Sequence, residues 1–298
     1  MASAFQEHLD FVLQNLRWTE WFSLPLARRT PERYRAGIYE VRQAQGEVVY
    51  VGQTGDFFTT RMGALGGIFQ EVMPFNDPHT AGPCLWALRR SGAEFEARFF
   101  PTGSLSEQER RALETVELAR LRRAMVWPIA NYGGMPMGWV KSSNRRQGRR
   151  GGPGSNEGVE KGPPWAPSEL RGDPMSLGFG ERDWSEWQPL TGGAGVGSPG
   201  IYRLAGTTGS VVYLGQAGTI VDRLRQHLQS LSSQEGKYAV LRSQVPLTVS
   251  WTVLTGSTSR ERLMIEDDLV ACAITSDGRV PVAQFLDRGR QGVSESLR

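Results

Sequence analysis

The chain has 298 residues, enough for two domains of ordinary size, and its 39% apolar and 22% charged content is that of a globular protein, which excludes a fibre or a wholly disordered chain. Apolar runs such as 48–51 fall far short of the roughly 20 residues needed to cross a bilayer. Two cysteines exclude a disulfide framework and three histidines argue against a multi-histidine metal centre, while a net charge of +3 is weakly suited to a polyanionic partner.

The N-terminal stretch 1–16 reads as a short amphipathic helix, and Glu7 and Asp10 inside its apolar pattern rule out a secretory signal. With two lone thiols, Cys84 and Cys272, this fits a reducing cytoplasm. Residues 37–42 and 48–51 have strand composition with Gly46 between them, which predicts a hairpin. A short helix is expected over 57–65. Residues 94–100 alternate charged side chains with phenylalanine and predict a half-buried strand. A long helix follows over 106–125, with Ser106 as its N-cap. The region 141–180 is rich in Gly, Pro and Ser and predicts a linker. Lys141, Arg145, Arg146, Arg149 and Arg150 cluster in its first part, and such an arm suits phosphates as well as it suits a plain soluble tether. Beyond it, strands are expected near 200–204, 211–214 and 248–254, and helices near 219–230 and 259–275.

The element order is the same in both halves because the sequence repeats. Trp18-Thr-Glu-Trp21 matches Trp184-Ser-Glu-Trp187. Gly37-Ile38-Tyr39 matches Gly200-Ile201-Tyr202, and Val49-Tyr50-Val51-Gly52-Gln53 matches Val212-Tyr213-Leu214-Gly215-Gln216. Arg61 then matches Arg223, Glu109-Arg110 and Glu114 match Glu261-Arg262 and Glu266, and Pro128-Ile129-Ala130-Asn131 matches Pro281-Val282-Ala283-Gln284. The offset changes in small steps between elements, as loop insertions in a duplicated domain would produce. Two copies are too few for a solenoid. The expected architecture is α+β, with two small domains, each a three-stranded antiparallel sheet flanked by helices. Residues 1–140 form the first with its N-terminal helix, 141–180 the basic linker and 181–298 the second.

The paired GIY and Y-x-G strings, with tyrosines 39 and 50 or 202 and 213 at equal spacing and an arginine following, resemble the GIY-YIG endonuclease superfamily. The resemblance covers about 35–131 and 198–285. It implies a metal-dependent endonuclease. Tyr39 and Tyr202 would serve as general base or its relay, with Tyr50 and Tyr213 beside them. Arg61 and Arg223 would stabilise the pentavalent phosphate, Glu114 and Glu266 would bind Mg2+ or Mn2+, and Asn131 would anchor the site. The residue types suit that chemistry. A guanidinium forks onto phosphate oxygens, and magnesium needs few protein ligands. A tyrosine with a free pKa near 10 acts as a base only if its neighbours assist it. Glu117, near the same helix face, rivals Glu114, and the internal alignment favours Glu114.

Each copy departs from the family pattern once. The second has His227 one helical turn after Arg223, whereas the first has Leu65, and no sequence feature brings His79 in from its loop. The first keeps Asn131, whereas the second has Gln284, whose extra methylene is expected to misplace the amide. Tryptophans 18, 21, 184 and 187 are expected to pack a segment preceding the strands onto each domain. DNA is the expected partner, with RNA as alternative, and a protein partner or second copy of the chain is compatible. The expected setting is restriction, defence or repair in the cytoplasm. The competing reading is a nucleic-acid-binding protein in which one or both copies have lost catalysis and serve recognition.

Overall fold

The computed structural model describes residues 3–24, 36–55, 63, 65–77, 79–155, 167–233 and 235–286. They fall into two compact units, 3–155 and 167–286.

In the first unit, Ile38, Val41, Val48, Val49, Val51 and Thr54 supply the β-branched residues of a hairpin formed by β2 (Gly37–Gln43) and β3 (Val48–Thr54). The chain reverses where Gly46 donates to the Gln43 carbonyl. β4 (Phe95–Pro101) adds to the other side of β2, and the two-residue β1 (Phe22–Ser23) pairs with β4, so the order is β1-β4-β2-β3, all antiparallel. The second unit repeats this order as β7 (Gln188–Pro189), β10 (Thr248–Val253), β8 (Gly200–Ala205) and β9 (Val211–Ala217). Each sheet therefore has four strands, not the expected three. The extra strand follows the Trp-x-x-Trp segment and is two residues long, too short to show an alternating pattern.

Alternation splits each hairpin into two faces. In the first unit the front face carries Tyr39 and Val41, which pack with Leu65, Ile68, Leu85 and Phe99. The back face carries Val48 and Val51, covered by Leu118 and Leu121 of α3 (Glu107–Arg123). α1 (Ala4–Leu13) and α2 (Gly82–Arg90) complete this unit's α-helices among the described residues. In the second unit α4 (Ile220–Ser230) and α5 (Gly236–Ser243) contribute Ile220, Leu224 and Leu241 to the core around Tyr202 and Tyr213, and α6 (Ser259–Asp277) packs on β8 and β9. α3 and α6 start with the same device: the Ser106 and Thr258 hydroxyls accept from the amides of Glu109 and Glu261, whose carboxylates accept in return from the cap amides. Most of the helix expected over 57–65, Arg61 included, lies outside the described residues.

The described parts of 141–180, residues 141–155 and 167–180, are more ordered than their composition predicts. β5 (Trp139–Val140) pairs with β6 (Gly152–Pro153), Arg150 donates to the Met73 carbonyl at 2.7 Å, and its guanidinium lies 3.6 Å from the Phe75 ring centre. Residues 167–180 pack on the second unit, where Gly172 N donates to the Ser276 hydroxyl and Arg203 donates to the carbonyls of Pro174 and Ser176. Backbone hydrogen bonds and arginine contacts hold these segments where apolar burial alone would not.

The repeated tryptophans act alike. Trp18 and Trp21 flank the Arg98 guanidinium, which is paired with buried Glu40, while Trp184 and Trp187 flank that of Arg203. Glu40 pairs with Arg98 across β2 and β4, and Arg203 with Ser250 across β8 and β10. The cation has moved to the neighbouring strand, yet the indoles still hold it, as cation–π attraction allows.

Candidate active site

The second unit builds the centre of its site from β8, β9 and α4. Tyr202 on β8 lies opposite Gly215 on β9, and Leu204 lies opposite Tyr213, so both tyrosines share the front face with ring centres 6.1 Å apart. A one-residue bulge immediately before Tyr213 sets this register. α4 presents Arg223 and His227 one turn apart. His227 Nε2 lies 2.7 Å from the Tyr202 hydroxyl, and Arg223 Nε donates to the same oxygen at 3.4 Å. An arginine only donates. The Tyr202 oxygen therefore accepts from Arg223 and shares its second hydrogen bond with His227 Nε2, the donor being set by the imidazole tautomer.

α5 closes the site with two residues that sequence reasoning missed. Lys237 is buried with its ammonium 4.9 Å from the Tyr213 ring centre, and Tyr238 lies 5.7 Å from the His227 ring. No repeat or motif marks either one. Burial is the main cause that drives His227 down to a pKa of about 2, helped by the Arg223 and Lys237 charges, so the imidazole is neutral and free to accept. Burial, then Tyr213, pushes the Tyr202 hydroxyl well above its ordinary value, against the pull of Arg223 and Lys237. Tyr202 is therefore a protonated phenol with the His227 imidazole within hydrogen-bond reach.

The first unit shows the same placement. Tyr39 lies opposite Gly52 and Val41 opposite Tyr50, with the bulge again just before the second tyrosine. The tyrosine rings are 5.9 Å apart. The imidazole here is His79, whose Nε2 lies 3.1 Å from the Tyr39 hydroxyl and whose ring lies 5.1 Å from that of Tyr50. His79 thus does swing in from its loop, a placement for which the sequence offers no support. Leu65, at the position expected to carry a histidine, is core.

Asn131 and Gln284 also occupy equivalent places. The Asn131 side chain accepts from Val51 N at 2.8 Å and donates to Val51 O at 2.7 Å. Gln284 accepts from Leu214 N at 3.0 Å. Each amide pins the middle residue of its Y-x-G string. The predicted misplacement of Gln284 does not occur, because its segment lies along β9, where Ala283 N donates to the Val212 carbonyl.

Glu114 and Glu266 are half-buried at matching positions of α3 and α6. One turn earlier, Arg110 and Arg262 donate from Nε to Gln53 and Gln216, the residues after each Y-x-G string. Glu117 is fully buried against Arg120, and burial together with Glu40 pushes its carboxyl well above the usual range. Glu117 is thereby tied up on the back face, which favours Glu114 as the carboxylate able to meet a solvent ion. Among the described residues no group of three or more His, Cys, Asp or Glu converges on a metal-sized position. A single half-buried carboxylate fits a hard ion that keeps most of its waters, and does not fit zinc.

Residues 198–273 match the family model described as the UvrC-like GIY-YIG domain. That stretch is a GIY-YIG domain. Consistent with it, the chain is 34% identical over 73 residues to the UvrABC system protein C of Chlorobaculum tepidum. The matched part is 24% of this chain and spans only 11% of that relative. No solved structure matches. The GIY-YIG domain contains Tyr202, Tyr213, Arg223, His227 and Glu266, whereas Gln284 lies beyond the matched stretch. The likeness of the first unit rests on the internal repeat, the shared strand order and the matched tyrosine geometry.

Proposed function

We propose that the chain is a metal-dependent endonuclease that hydrolyses DNA phosphodiester bonds, with one centre in the GIY-YIG domain and a second copy in the N-terminal unit. The observation that carries the reading is the Tyr202 hydroxyl held between His227 Nε2 and the Arg223 guanidinium. A neutral imidazole beside a protonated phenol forms a proton relay. The Tyr202 oxygen accepts a proton from the attacking water while its own proton passes to His227, a transfer that requires the negative charge of the bound phosphate to raise the imidazole from its value of about 2 in the closed site. Arg223 stabilises the oxygen as charge builds on it and offers its remaining N–H groups to phosphate oxygens. Lys237 adds a second positive charge in a dry site, where it acts more strongly than in water. Glu266, and Glu114 in the first unit, would hold the ion. When bound, Mg2+ (or Mn2+) would neutralise charge on the phosphate and assist the leaving oxygen.

The likeness to a UvrABC system protein favours repair over restriction or defence. Among the described residues no helix is long and apolar enough to cross a membrane. One observation supports the recognition alternative: Tyr202 and His227 are fully buried, so a phosphate reaches the hydroxyl only if the cover formed by α5 shifts. Plasmid cleavage decides between the two. Magnesium-dependent nicking or linearisation that falls at least about 100-fold when Glu114→Ala and Glu266→Ala are combined supports the nuclease, since loss of one transition-state charge contact in each centre costs about that much. Salt-dependent DNA binding without cleavage supports recognition.

A further inference from the structure

We propose that His79 is the proton acceptor of a second tyrosine–histidine centre in the N-terminal unit, performing for Tyr39 what His227 performs for Tyr202. The inference rests on the nuclease reading and assigns a residue to it that the repeat does not reveal. His227 arrives on a helix, four residues after Arg223. His79 arrives on the segment preceding α2, where its carbonyl accepts from Gly82 N. Two unrelated pieces of chain thus deliver an imidazole to the same hydroxyl of the same strand, at 3.1 and 2.7 Å, with the partner tyrosine ring at 5.1 and 5.5 Å.

Packing alone does not explain this. Filling space beside Tyr39 requires only an apolar ring, and burying an imidazole costs free energy that phenylalanine or leucine would not incur. The repeat position itself holds Leu65, so the first unit has used that helix position for its core and supplied the imidazole from elsewhere. The shared feature is the hydroxyl–imidazole pair and not the sequence that builds it.

The step balances as an ordinary hydrolysis. Water gives a proton to the Tyr39 oxygen as its own oxygen bonds to phosphorus, Tyr39 passes its proton to His79 Nε2, a P–O ester bond breaks, and the departing oxygen is protonated. The resulting imidazolium returns its proton to solvent.

The test uses the full chain and supercoiled plasmid with magnesium. Glu266→Ala silences the second centre and isolates the first, which is expected to nick. Adding His79→Gly is expected to reduce that nicking at least about 100-fold, the lower range for a lost general base, and free imidazole is expected to restore a measurable part of it. Imidazole would not repair a mere packing defect, and His79→Gln in the same Glu266→Ala background, which keeps a polar side chain of similar reach, is expected to remain folded by circular dichroism and still not nick. If wild type cuts and Glu266→Ala alone abolishes all cutting, or if His79→Gln combined with Glu266→Ala nicks as well as Glu266→Ala alone, the nuclease reading stands and the His79 assignment is overturned. If wild type cuts no plasmid at all, the nuclease reading itself fails and the assignment with it.

Discussion

Gly215 lies directly opposite Tyr202, and a methyl group placed on it would come within 2.5 Å of the Tyr202 hydroxyl. Gly52 stands in the same relation to Tyr39, at 2.7 Å. The glycine of each Y-x-G string is therefore a space reservation for the tyrosine of the other string. Tyr202 is fully buried and has no room to retreat. Gly215→Ala is expected to destabilise the second unit by about 1–3 kcal/mol, the usual cost of overpacking, and to break the Tyr202–His227 contact. Urea denaturation and plasmid cleavage would read the two effects.

His227 gives stability a pH dependence of known sign. Its folded pKa of about 2 lies below the ordinary 6.5. Between those values the unfolded chain binds a proton that the folded chain refuses, so stability falls as pH drops below about 6.5. The slope approaches about 1.4 kcal/mol per pH unit for one proton. His227→Gln is expected to flatten it, as measured by urea midpoints between pH 7 and 5. Activity in that range is expected to show no acid limb from His227.

Glu117 acts in the opposite sense. Burial and Glu40 raise its folded pKa, so its contribution is fully present below the unfolded value of about 4.5 and is lost as pH rises toward the folded value. Glu117→Gln, which keeps the shape without the charge, is expected to stabilise the first unit relative to wild type at neutral pH and to change little at pH 4. Thermal unfolding at the two pH values measures the difference.

Asn131 tests the anchoring of the Y-x-G strand. Asn131→Ala leaves the Val51 amide and carbonyl without the partners they now have, at an expected cost of about 1–3 kcal/mol. Nicking by a Glu266→Ala background should fall with it, because Tyr50 and Gly52 flank Val51.

The hairpins and the long helices of the two halves were legible in the sequence because strand composition and motif spacing are local properties. That Tyr39 and Tyr50, or Tyr202 and Tyr213, can share one face was legible from their places on neighbouring strands, whereas the bulge that sets their register was not. His79 was not legible, since it reaches Tyr39 from 40 residues away through a loop with no periodic signal. Lys237 reaches Tyr213 on a short helix that carries no motif. Gln284 was misjudged because side-chain length was weighed while the path of its backbone along β9 was unknown. The arginine-rich stretch after 141 was read from composition, which does not reveal that Arg150 finds the Met73 carbonyl and the Phe75 ring.

Magnesium-dependent plasmid cleavage by His79→Gln, and by His79→Gln combined with Tyr202→Phe, puts the tyrosine relay itself to the test. Removing one buried hydroxyl oxygen preserves the ring and its packing, so the double variant should fold as the single one does. The relay predicts that His79→Gln still nicks through the second centre and that adding Tyr202→Phe lowers this by at least about 100-fold. Undiminished cutting by the double variant would contradict it, because the tyrosine hydroxyl would then have no part in the chemistry.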